Sequence, residues 1–127
     1  MKPILDSDKQ IVYIGELDSV RKKLWYQHAR ATLFPIRWGE PFGLVLIESM
    51  ACGTPVIGFR LGSVPEIIEH GKTGFVVDTI EQMVAAVAAA DGPLPRDCRA
   101  HIEKKFSIAG MAGKYSDLYE RILKEVN

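Results

Sequence analysis

Very little in this chain points to the commonest specialised chemistries, and each absence narrows the field. Cysteine is scarce. Cys52 and Cys98 stand far apart, which makes no disulfide framework and predicts two free thiols in a reduced, cytoplasmic protein. Neither sign of charge is in excess, since sixteen Lys and Arg face sixteen Asp and Glu, so no nucleic-acid partner is expected. No apolar run reaches membrane-spanning length, and the opening residues carry no signal-peptide pattern. Phosphate-loop, dinucleotide and nucleophile-elbow glycine motifs are missing, as are internal repeats. His28, His70 and His101 show no metal-ligand spacing, and Cys98-x-x-His101 is half a zinc site without its other half. Asp6-Ser7-Asp8 is formally a D-x-D, yet it reads as a solvated turn because no strand holds it. Arg60 reads as a solvated loop arginine, and Cys52 as a core thiol rather than a nucleophile.

What is present is a pattern of alternation. Short β-branched and aromatic runs predict strands at Ile11 to Ile14, Ala31 to Phe34, Pro55 to Phe59 and Phe75 to Val77. Between and after them, helical spacing predicts helices. The first is capped by Asp18 or Ser19 and carries Leu17, Val20, Leu24, Trp25 and His28. Another runs from Ser63 to His70, where Ser63-Val64-Pro65-Glu66 has the form of a capping box. Three more follow over Thr79 to Ala90 (Ile80, Met83, Val84 and Val87 inward), Arg96 to Phe106 and Ser107 to Val126. Strands alternating with helices argue an α/β fold, a doubly wound parallel sheet, in one domain over residues 1–127. Ligands of such sheets bind at the carboxyl ends of the strands.

The most informative stretch is Trp38 to Ile57. Gly39 and Pro41 break the chain, a helix is predicted from Gly43 to Cys52, and Gly53 with Pro55 stops it. That helix is apolar nearly all round, as one buried against a sheet must be. Glu48 is its only charged residue, and Glu40 stands just ahead of its first turn. The amides from Phe42 to Val45 have no intrahelical acceptor and, with the macrodipole, suit an anion. Gly43 admits a close approach to the backbone. Ionised carboxylates accept hydrogen bonds only, which suits sugar hydroxyls. Two readings are open on these residues alone: a site for a ligand with phosphate and sugar, or a carboxylate complementing the dipole and another in solvent.

The run Glu40-Pro41-Phe42-Gly43-Leu44-Val45-Leu46-Ile47-Glu48-Ser49-Met50-Ala51-Cys52-Gly53-Thr54-Pro55 resembles the E-x7-E signature of group 4 (group 1 type) retaining glycosyltransferases of GT-B architecture. Gly62-Ser63-Val64-Pro65-Glu66 and Gly71-Lys72-Thr73-Gly74-Phe75 extend the resemblance, which covers nearly the whole chain. It implies the C-terminal, nucleotide-sugar-binding half of a hexosyltransferase, working with retention from a nucleoside diphosphate sugar, without metal or other cofactor. The resemblance assigns donor-sugar hydroxyls to Glu40, the catalytic-site carboxylate. It gives the ribose diol to Glu48, and the sugar or diphosphate to the backbone of Phe42, Gly43 and Leu44. It sets the base against the main chain of Val12. The acceptor is unspecified.

Against that family pattern the chain is expected to lack the N-terminal acceptor domain and the first two strands of the C-terminal one. With them go an Arg and a Lys that clamp the diphosphate. Arg21, Lys22 and Lys23 occupy a helix after the wrong strand to replace that clamp. Weak donor binding without turnover is the expectation for the isolated chain. The alternatives are a non-catalytic nucleotide-sugar module and a flavodoxin-like signalling domain, which would need neither Glu40 nor Glu48. The strand at Ile11 is expected either to pair directly with that at Ala31 or to leave a gap filled by a second chain. The stripe Ile108, Met111, Tyr115, Leu118, Tyr119 and Ile122 on the last helix also predicts self-association.

Overall fold

The computed structural model describes residues 10–126. Its elements, in order, are α1 (Ser19–His28), β1 (Thr32–Phe34), α2 (Leu44–Ala51), β2 (Val56–Phe59), α3 (Val64–Ile67), β3 (Gly74–Val77), α4 (Ile80–Ala88), α5 (Pro95–Phe106) and α6 (Ile108–Val126). The three strands form a parallel sheet in the order β1-β2-β3. Thr32 sits opposite Val56, and Val56 opposite Gly74, so the strands start level.

Every residue of β2 is buried, as a central strand covered on both faces requires. Its side chains alternate. Val56 joins Leu46, Met50, Val64 and Cys98 in one core, while Ile57 and Phe59 join Met83 and Ala86 in a second. Thus α2, α3 and α5 cover one face and α4 the other, which is the expected doubly wound arrangement.

Three expectations need correction. Residues 11–14 form no strand, and Val12 and Tyr13 are largely exposed. Their composition suits a strand, but a strand exists only where a neighbour takes its backbone bonds, and among the described residues β1 pairs on its β2 side alone. No residue of α1 is buried, so Val20, Leu24 and Trp25 face outward rather than into a core. On α4, Met83 and Ala86 are buried, whereas Ile80 and Val84 are exposed.

The capping box fails too. Ser63 already has helical dihedrals, so its hydroxyl cannot turn back to an amide of α3 and is buried without a partner. Moreover α3 stops at Ile67, short of His70. Thr73 Oγ1 takes the Glu69 amide at 3.0 Å, and Gly71 turns the chain at φ +79°. The cap at Asp18 does hold: it accepts the Arg21 amide at 2.8 Å. The Asp6-Ser7-Asp8 turn lies outside the described residues.

Candidate functional site

α2 is bounded by two glycines. Gly43 is the N-cap in the left-handed region, φ +75°, and a Cβ there would overlap the Leu46 side chain. Its conformation turns the loop sharply into the helix. The amides of Leu44 and Val45 stay without intrahelical acceptors, at the positive end of the helix dipole. At the other end Cys52 closes the helix, and Gly53, at φ +89°, turns the chain away toward β2, as the sequence predicts.

Glu40 is held on all sides by backbone. Its Oε1 accepts the Gly43 amide at 3.2 Å, and its carbonyl accepts the Ser63 amide at 2.9 Å. Gly62, at φ +53°, lies directly against the Glu40 backbone, leaving no room for a side chain. The loop after β1 and the loop after β2 are therefore locked together at the carboxyl ends of those strands. The buried Ser63 hydroxyl lies in the same place, within 3.3 Å of where a Cβ on Gly43 would stand.

Glu48 faces a different neighbour. Its Oε1 accepts Lys22 Nζ of α1 at 2.7 Å, with both side chains a little under two-fifths exposed. This bond holds the Lys22 ammonium above its usual pKa. Tyr26, one turn further along α1, has its phenol raised by burial first and by the Glu48 charge second. The Thr54 hydroxyl donates to the Tyr26 carbonyl and fixes the far end of the same helix face. Among the described residues no hydrogen bond joins Glu40 to Glu48.

The remaining candidates divide. Leu44 is exposed at the helix start, with its backbone amide beside that of Gly43. Phe42 turns toward the last helix instead. With Phe106, Met111, Tyr115 and Leu118 it lines a cavity of about 440 Å³. Val12 is exposed in irregular backbone, not on a strand. Arg60 is solvent-facing but paired with Asp78 at 3.0 Å, and Arg37 stacks over the Phe59 ring at 5.3 Å. Cys98 and His101 serve packing, bonding to the carbonyls of Thr73 and Ile67. Sequence reasoning missed Lys22 as the partner of Glu48, because nothing in a one-dimensional pattern joins residues 26 apart on two helices.

A parallel sheet covered on both faces, with its functional candidates on a strand-end loop and on the helix that follows it, defines a Rossmann-like domain of the kind that makes up GT-B enzymes. The family described as "Glycosyl transferases group 1" matches residues 5–119, and the chain belongs to it. It is similar to N-acetyl-alpha-D-glucosaminyl L-malate synthase of Bacillus anthracis, 30% identical over 129 residues, covering 95% of this chain and 33% of that one. Among solved structures it is similar to a sucrose-phosphate synthase from Thermosynechococcus elongatus. That match has a TM-score of 0.75 and 26% identity over 98% of this chain and 34% of that one. Anabaena Alr3699/HepE, solved in complex with UDP-glucose, shares the fold with a TM-score of 0.73 at 19% identity, covering 94% of this chain and 34% of that one. The chain thus spans about a third of the length of these relatives.

Proposed function

We propose that this chain is the donor-binding part of a two-domain hexosyltransferase that uses a nucleoside diphosphate sugar and retains the anomeric configuration. The observation that carries the reading is the start of α2. There Gly43 leaves the Leu44 and Val45 amides open, and Glu40 is fixed beside them by the Gly43 amide.

In this reading the diphosphate leaving group meets the amides of Phe42 and Leu44, on either side of the Gly43 amide that Glu40 occupies. These dipoles are in place before negative charge develops, so stabilising it needs little reorganisation. Glu40 uses one carboxylate oxygen on the Gly43 amide and offers the other to hydroxyls of the sugar, close to the anomeric carbon. Its charge favours the positive character that grows on the ring as the bond to the diphosphate breaks. Glu48 accepts from the ribose diol, and the backbone near Val12 lies along the base. The helix start supplies the electrostatics that a cation would otherwise provide, so we propose that the reaction needs no metal.

The acceptor belongs to the part of the enzyme beyond this domain, and the chain alone binds donor without turnover. The two free thiols fit a reducing, cytoplasmic setting. We also propose that the isolated chain self-associates through α6, where no residue is buried and Met111, Tyr115, Leu118, Tyr119 and Ile122 face solvent.

Calorimetric titration of the chain with UDP, GDP and ADP tests the donor reading. Binding of one of them, abolished in Glu48→Ala, supports it. No binding of any nucleotide up to the millimolar range removes it.

A further inference from the structure

The feature of this site that the donor reading leaves unused is the Lys22 ammonium. Glu48 is the only charged side chain on α2, and among the described residues Lys22 is its one ion-pair partner, reached across from another helix at 2.7 Å. An unpartnered glutamate at a part-exposed position samples several rotamers, and each loses orientation toward a ligand. A salt bridge to a fixed neighbour selects one.

Lys22 is fixed. Asp18 accepts both the amide and the Nε of Arg21 at 2.8 Å, and its carbonyl accepts the Lys22 amide at 2.9 Å, so the first turn of α1 is tied down. One turn later the Tyr26 carbonyl takes the hydroxyl of Thr54, which is itself buried. Lys22 and Tyr26 lie four apart on one helix face. With no buried residue on α1, these polar contacts set where the helix sits against α2.

A carboxylate offers about four lone-pair sites over two oxygens. Lys22 occupies one, on Oε1, which leaves enough for both hydroxyls of a vicinal diol. Stability does not explain the pair, since exposed ion pairs are worth about 0–1 kcal/mol. Resting on the donor reading above, we infer that Lys22 is a positioning residue of this site, orienting the Glu48 carboxylate toward the ribose diol of a nucleoside diphosphate.

The test compares ribose with deoxyribose. The whole 127-residue chain and its Lys22→Met, Lys22→Gln and Lys22→Arg variants are titrated with UDP, GDP and ADP and with the 2′-deoxy form of each. The wild-type chain should prefer the ribonucleotide it binds by about tenfold, the worth of a hydrogen bond to a charged group. Lys22→Met and Lys22→Gln should bring that ratio close to one, with a smaller loss of deoxynucleotide affinity through its remaining 3′-hydroxyl, and Lys22→Arg should restore it. A ratio unchanged in the Met and Gln variants overturns the inference and leaves the donor reading standing, with Lys22 as a helix–helix tie. So does an equal loss of both affinities. A wild-type chain that binds none of the nucleotides overturns both.

Discussion

Gly62 and Glu40 are in backbone contact: there is no space between them for a Cβ, and the next amide, Ser63, donates to the Glu40 carbonyl at 2.9 Å. The position of Glu40 is therefore set by a residue 22 further along the chain. Gly62→Ala should push the Glu40 loop outward and add left-handed strain, at a cost of about 1–3 kcal/mol. Thermal melting should show a modest loss. In a two-domain enzyme carrying this sequence, turnover should fall about tenfold or more, since small misplacements of a positioning group are expensive. Unchanged kinetics in Gly62→Ala would break the link between this contact and the site.

The two carboxylates should separate kinetically in the same two-domain enzyme. Glu40→Ala is expected to lower kcat with little change in donor KM, because Glu40 is assigned to the reacting sugar. Glu48→Ala is expected to raise donor KM, because it is assigned to the ribose. Wild-type kinetics from the double variant would end the donor reading.

Cys98 is fully buried, and burial, helped by the Asp97 charge, pushes its thiol from the ordinary 9.0 up to about 11. Iodoacetamide at pH 8 should label Cys52 in the folded chain and spare Cys98 until denaturant is added. The thiol's contribution to stability is complete below pH 9, where neither state ionises. It is lost as pH rises toward 11, because the unfolded chain gives up its proton first. Rapid labelling of Cys98 in folded protein would contradict this environment.

Light scattering of the isolated chain should report a mass that rises with concentration. The double variant Tyr115→Glu with Leu118→Glu, which places charge in the apolar face of α6, should return it to a monomer. A clean wild-type monomer at high concentration would count against association through this face.

The sequence carried α2 and its ends because the signals there are local: a glycine at each end, a proline beyond, and an apolar surface all round. It carried Glu40 and Glu48 as candidates for the same reason, with the family resemblance adding their assigned partners. Failures arose wherever a residue's fate depended on a partner elsewhere. Ser63 looks like a cap, but its amide goes to Glu40 and its dihedrals to the helix, so the hydroxyl is left over. Residues 11–14 look like a strand and pair with nothing in the sheet. Val20, Leu24 and Trp25 have helical spacing, yet α1 docks by its polar side through Lys22 and Tyr26.

The division of the interior into two cores has a consequence for motion. On one face Leu46, Met50, Val56 and Cys98 are wholly enclosed. On the other, α4 contributes only Met83 and Ala86 as buried residues and leaves Ile80 and Val84 in water. Opening α4 thus uncovers only the smaller core, Ile57, Phe59 and Val77 beneath Met83 and Ala86, whereas opening α2 empties the larger one. Native-state amide exchange should show α4 releasing its protons through a low-energy, partial opening, while α2 and β2 exchange only when the whole domain unfolds. The helix start assigned to the donor belongs to the slowest-exchanging unit, so the site should stay assembled while the opposite face breathes.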